Sequence, residues 1–292
     1  MPKTFAERLA QAQQSSGSLL CVGLDPDPSK LPKDIRAIPS ARFDSGALQA
    51  FDRRIIDATC DLAAAYKPQI AFYSALGAED ELERSIRYMR ERAPAALVIL
   101  DAKRGDIGNT AEAYAREAFD RYGADAVTVN PYMGEDSVRP FLARKDRGAL
   151  LLCRTSNSGA GDFQDLKVDG QPLYARVAQL AAERWNEHGN LMLVVGATFP
   201  REMALLRQAH PELSFLVPGV GAQGGDLQAL LAAGLDARGA GLLISASRSI
   251  IYAAGGSAAA IRAAAAQLHS AINLGRGNMR ASPCAALSST RS

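Results

Sequence analysis

Eight short apolar runs, each closed by turn-forming residues, punctuate the chain at 19–25, 64–72, 97–103, 126–132, 149–156, 191–198, 215–220 and 241–247. Segments such as LMLVV and ALLLC lack the polar alternation of a strand with one wet face, so both faces of each strand have to be covered. Between the runs lie stretches with helical periodicity and good helix formers, among them 44–63, 79–92, 110–122, 173–187, 202–208 and 258–271. A further helix is expected over 4–14, ahead of the first strand. Strand and helix therefore alternate from end to end. Eight βα units in one chain predict an α/β fold, a single (β/α)8 TIM barrel with an extra N-terminal helix. An open doubly wound sheet is the competing arrangement. A length of 292 residues with 48% hydrophobic content suits one such domain, expected over 1–272. Residues 273–292 turn rich in Ser, Arg, Gly and Ala and read as a flexible tail.

A formal charge of +2 argues against a dedicated nucleic-acid or membrane-surface binder. No apolar run approaches the ~18 residues of a membrane span. The first residues, with Lys3, Glu7 and Arg8, do not resemble a secretory signal, so a cytoplasmic protein is expected. Cys21, Cys60, Cys153 and Cys284 form no C-x-x-C pair, which gives neither a zinc pattern nor a disulfide framework. His188, His210 and His269 fall near expected helix ends, where a basic ring suits the local dipole, and none belongs to a metal or triad pattern.

Segment 99–110, ILDAKRGDIGNT, carries the most chemistry. Asp101 and Lys103 end an apolar strand and are two residues apart, so regular alternation puts them on one side. In a barrel the C-terminal end of a strand is the active-site rim. An unpaired Lys there would be costly to desolvate. Asp101 and the nearby Asp106 are expected to keep the Lys103 ammonium charged, which makes it a positioned proton donor. Asn109 or Thr110 is placed to cap the following helix. A plain surface cluster of ion pairs is the bland alternative.

Gly219-Val-Gly221-Ala-Gln-Gly224 matches G-x-G-x-x-G between a strand and a helix. A dinucleotide fold carries that fingerprint at its first βα turn, whereas here it follows the seventh strand. In barrels the loops after strands seven and eight bind phosphate. Close backbone N–H groups, Gln223 as a donor and the planar fork of Arg248 would hold the anion.

With these residues in view, the chain strongly resembles the orotidine 5′-phosphate decarboxylase family, in its larger bacterial branch. The family pattern D-x-K-x-x-D-I-x-x-T is met by Asp101, Lys103, Asp106, Ile107 and Thr110. VGLDPDP at 22–28, YKPQ at 66–69, RTSNSG at 154–159, PGVGAQGGD at 218–226 and SRSIIYA at 247–253 follow in order, each after a different strand. The resemblance covers about residues 19–268. It implies decarboxylation of orotidine 5′-phosphate to UMP and CO2 in de novo pyrimidine biosynthesis, without metal or organic cofactor. It further implies that Lys103 protonates the ring carbanion while Asp101 faces the departing carboxylate. Asp25 and Lys67 would contact the ribose, with Lys67 joining the charge network. Ser156 would read the pyrimidine, and Pro218, Gln223 and Arg248 would lie at the phosphate end. Asp106, Ile107 and Thr110 would reach the neighbouring subunit's site, so a homodimer is implied. The residues alone leave other chemistries open: a Schiff-base aldolase using Lys103, a magnesium-dependent sugar-phosphate barrel, or a non-catalytic phosphate-ligand sensor.

Overall fold

The computed structural model describes residues 2–36, 45–220 and 226–281. Its eight parallel strands are β1 (Leu20–Leu24), β2 (Ala65–Pro68), β3 (Leu97–Arg104), β4 (Ala126–Val129), β5 (Gly148–Arg154), β6 (Leu191–Val195), β7 (Ser214–Pro218) and β8 (Leu242–Ala246). They close in chain order, with β8 hydrogen-bonded to β1, so the expected TIM barrel forms and the open sheet does not. The longer connecting helices are α2 (Ser45–Thr59), α3 (Glu79–Arg92), α4 (Gly108–Arg116), α5 (Glu135–Leu142), α6 (Leu173–Leu180), α7 (Pro200–Ala209), α8 (Leu227–Gly234) and α9 (Ala258–Ala281). Helix α1 (Phe5–Ser16) precedes the barrel.

Side-chain parity divides the core in two. Outward residues such as Val22, Tyr66, Val98 and Leu100 pack under the helices. Inward residues, including Cys21, Ala65, Leu97, Ile99, Ala126, Leu150, Met192, Leu216 and Leu243, fill the barrel itself. Two residues further along the same inward rows come Lys67, Thr128 and Pro218, and Asp101 follows Ile99. The alternation that packs the interior thus also delivers polar groups to its upper end.

Helix α1 closes the lower end. Thr4 and Glu7 form a capping box, and Gly17 ends the helix in the left-handed conformation (φ 58°). Phe5, Leu9 and Ala12 belong to the interior cluster. A Cβ on Gly148 would sit 2.5 Å from the Phe5 ring, so glycine permits that contact. Asp125, buried beside this plug, pairs with Arg8 of α1 and with Arg90 of α3, and accepts the Val98 N–H.

Several boundaries depart from expectation. The second run was expected to be extended to residue 72, but β2 stops at Pro68. The Gln69 side chain then accepts the Ala71 N–H and starts a helical turn, Ile70–Ser74. Helix α4 begins at Gly108, so Asn109 and Thr110 lie inside its first turn rather than capping it. Ile107 is the extended cap residue, with no side-chain cap bond. The helix was expected to end at 271 and the tail to begin at 273, yet α9 continues to Ala281. Ile272 is buried, Asn273 donates to the Gly17 carbonyl at 2.9 Å, and Arg276 donates to Gly239 at 2.9 Å. These contacts explain why a segment of low hydrophobicity remains helical. Residues 282–292, including Cys284, lie outside the described residues, as does the 221–225 segment with Gln223. Cys21, Cys60 and Cys153 are free thiols. No helix among the described residues is long and apolar enough to cross a membrane.

Candidate active site

Asp101 is the hub at the upper end of the barrel. Its Oδ2 accepts from Lys67 Nζ at 3.0 Å, and its Oδ1 accepts from Lys103 Nζ at 2.6 Å and from the Thr128 hydroxyl at 2.8 Å. Lys67 and Asp101 are each 7% exposed, whereas the Lys103 side chain is 48% exposed. The ammonium that faces the opening is therefore Lys103. Burial works to raise the Asp101 pKa, but the Lys67 and Lys103 ammoniums outweigh it and hold the carboxyl at about 2. For Lys67, burial disfavours the charge, and the carboxylates of Asp101 and Asp25 reverse that and raise its pKa. Such a triad is costly to desolvate and more costly to break, because loss of one partner strands a buried charge at roughly 3–5 kcal/mol.

Strand β3 reaches this arrangement through an irregularity. Leu100 is in register with Val127 and Arg104 with Val129, so residues 101–103 lie opposite Thr128 alone. Lys103 takes φ 47°, a conformation L-residues rarely adopt. Asp101 and Lys103 do share a side, as simple alternation suggested, but over a bulge rather than a regular strand. Asp106 was expected to flank Lys103 as well. Within this chain it makes no ion pair with Lys103, and its Oδ1 accepts the N–H of Ile107 at 2.8 Å. Ile107, 51% exposed, and Thr110, also exposed, stand on the same outward loop and first helical turn.

Lys67, Asp101, Lys103, Ser156 and Pro218 line one cavity of about 700 Å³ above the barrel. Ser156 lies two residues beyond the end of β5. A Cβ on Gly196 would come within 2.8 Å of the Ser156 Cβ, so the glycine after β6 lets the two loops approach. Asp25, just past β1, has one carboxylate oxygen buried without a hydrogen-bond partner. Arg248 is exposed and opens a helical turn, Arg248–Ile251, directly after β8. Neither Asp25 nor Arg248 is part of the cavity wall. Gly219 takes φ 100° at the start of the glycine-rich loop, and Asp226 caps α8 through the N–H groups of Gln228 and Ala229.

Sequence reasoning missed several members of the wall: Thr128, Asn130, Thr155, Asn157 and Gln164. Gln164 accepts the Thr155 N–H at 2.8 Å and donates to the Thr155 hydroxyl at 2.7 Å, which fixes the backbone next to Ser156. The TSN segment offered a signal for Thr155 and Asn157; Gln164 had none, because its role exists only once the loop has folded back. Among the described residues no three His, Cys, Asp or Glu side chains converge as a metal-binding group.

The profile of the orotidine 5′-phosphate decarboxylase / HUMPS family matches residues 18–264. The chain belongs to this family. An orotidine 5′-phosphate decarboxylase of Cellvibrio japonicus is 56% identical over 277 residues, which span 94% of this chain and 99% of that protein. One from Cupriavidus necator is 55% identical over 272 residues, 92% of this chain and 98% of the relative. The solved structure of Leishmania donovani OMP decarboxylase superposes with a TM-score of 0.81 at 42% identity, covering 94% of this chain and 99% of the other. The family match thus spans every barrel strand and each strand end that bears a cavity residue.

Proposed function

We propose that this chain converts orotidine 5′-phosphate to UMP and CO2 in de novo pyrimidine biosynthesis, using Lys103 as proton donor and no metal or organic cofactor. The observation that carries the proposal is the 2.6 Å ion pair between Lys103 and Asp101 on the wall of the cavity at the strand ends. Departure of CO2 breaks the bond between the carboxylate carbon and the pyrimidine ring and leaves the electron pair on the ring carbon. The Lys103 ammonium gives its proton to that carbon, and the neutral amine recovers a proton from solvent. Asp101 faces the departing carboxylate and holds Lys103 in place, while Lys67 offsets the Asp101 charge. A Schiff-base aldolase would need the Lys103 amine free to attack a carbonyl, whereas here it is engaged with the Asp101 carboxylate at 2.6 Å.

In this scheme Asp25 and Lys67 take the ribose hydroxyls, Ser156 reads the pyrimidine edge, and Pro218, Gln223 and Arg248 surround the phosphate. The exposure of Arg248 is what a group that closes on an arriving anion requires. The enzyme acts as a homodimer in which Asp106, Ile107 and Thr110 complete the partner's site. The exposed Ile107, together with Tyr132 and Met133 at 78% and 48% exposure, supports a covered surface beside the cavity. The small net charge supports a protein with neither nucleic acid nor membrane as partner, and a cytoplasmic location goes with that reading as part of the proposal.

The test is the loss of ultraviolet absorbance when purified protein meets orotidine 5′-phosphate, with and without chelator. Wild-type protein turns the substrate over in both, and Lys103→Ala lowers kcat by several orders of magnitude. Ordinary turnover by Lys103→Ala would remove Lys103 from the chemistry, and loss of wild-type activity in chelator would assign the reaction to a metal.

A further inference from the structure

Thr128 occupies a position no side chain in a regular parallel strand would need to fill. Three residues of β3, Asp101 to Lys103, oppose it alone. Two consecutive backbone N–H groups, those of Ala102 and Lys103, point at its hydroxyl oxygen at 2.9 and 2.8 Å. A regular ladder would not satisfy both, and even a part-buried N–H without an acceptor is disfavoured. The same hydroxyl spends its one proton on Asp101 Oδ1 at 2.8 Å, the oxygen that also holds Lys103. Thr128 is 2% exposed, so water does not substitute readily for it. A β-branched side chain in a strand has restricted χ1, which fixes the aim of the hydroxyl.

We infer that Thr128 is a positioning residue for the reaction: its hydroxyl holds the β3 bulge and orients the Asp101 carboxylate, and so sets where the Lys103 ammonium stands. Both accepted N–H groups belong to the turn that puts Lys103 at φ 47°, a strained conformation maintained by its surroundings. Removing the oxygen releases that turn and leaves Asp101 with one donor fewer. Thr128 does not deliver the proton, so its loss leaves ligand binding largely intact and slows the chemical step. This inference rests on Lys103 being the proton donor.

The experiment compares Thr128→Val, Thr128→Ser, Thr128→Cys and Lys103→Ala, reading kcat, KM and the affinity for UMP. Thr128→Val, matched in shape and lacking the hydroxyl, is expected to lose on the order of 100-fold in kcat, the scale of a misplacement near 1 Å, with KM and UMP affinity within about threefold of wild type on the same grounds. Thr128→Ser restores kcat to within about tenfold of wild type, since its hydroxyl keeps both roles. Thr128→Cys, a similar size but a weak hydrogen-bonding group, stays well below Ser. Wild-type kcat in Thr128→Val beside an inactive Lys103→Ala would overturn the inference and leave the proton donor standing. Activity in Lys103→Ala would instead remove the proton donor on which it rests. If Thr128→Val fails to bind UMP and so has not folded, the Ser and Cys pair decides, and equal kcat in those two would overturn the role of the hydroxyl.

Discussion

Asp101 and Asp52 are both buried carboxylates, and their neighbours drive them in opposite directions. Asp101 faces two ammoniums and stays ionised. Asp52, in α2, has no cation paired with it among the described residues. Its Oδ2 accepts from the Tyr73 hydroxyl at 2.8 Å and from Ser85 at 2.7 Å, while Oδ1 is buried without a partner. Burial pushes its pKa up to about 7 against those two donors, and the charges of Glu81 and Asp25 add to the rise. The folded protein thus binds a proton that the unfolded chain releases near pH 4. The stabilisation is full below that pH, declines as pH rises through 7 by at most about 1.4 kcal/mol per unit, and is absent above it. Asp101 contributes with the opposite sign in a separate window, losing stability only as pH falls from about 4 toward 2. Asp52→Asn keeps an acceptor for both hydroxyls and places an uncharged group at the orphan position. Urea denaturation at pH 5 and at pH 8 is expected to show a clearly smaller difference in this variant than in wild type, and an unchanged difference would acquit Asp52.

At the level of the elements, strand cores were legible and their ends were not. The runs in β5 and β6 are apolar on both faces, which leaves few alternatives to a buried parallel strand. Their ends were blurred because the inward row simply changes from apolar to polar at the rim. Asp101 and Lys103 stood out because charges terminating such a run demand a reason. Thr128 did not, since a Thr in AVTV looks like any strand former, and only the bulge opposite gives it work. Gln164 was invisible for the same cause, since it braces Thr155 nine residues back only once the loop has folded, whereas Gln69 stood in YKPQ with its local capping of the Ala71 N–H unread. The end of α9 was misjudged because its hold comes from carbonyls far away, those of Gly17 and Gly239. Deleting residues 273–292 is therefore expected to lower the melting temperature by roughly 5 °C, given about 1 kcal/mol per hydrogen bond and a chain of this size, with kcat unaffected. An unchanged melting temperature by calorimetry would show that the terminal turns add nothing.

For the whole molecule, the exposed groups around the cavity mouth bear on assembly. Ile107, Tyr132 and Met133 are large apolar side chains left exposed past the ends of β3 and β4. Ile107→Glu buries a charge in any interface formed there. The variant is expected to sediment as a monomer at micromolar concentration and to lose most of its activity, with activity returning as protein concentration rises. A variant that sediments like wild type and retains its specific activity would argue against a shared site. The opposite end of the barrel has a different bearing. Phe5 and Leu9 stop the lower mouth, and Asp125 bolts their helix to two neighbours. Among the described residues the chamber is therefore shut at this end and opens at the strand tips. On the proposed reaction, the nucleotide product and the gas released from it would leave through that same upper opening.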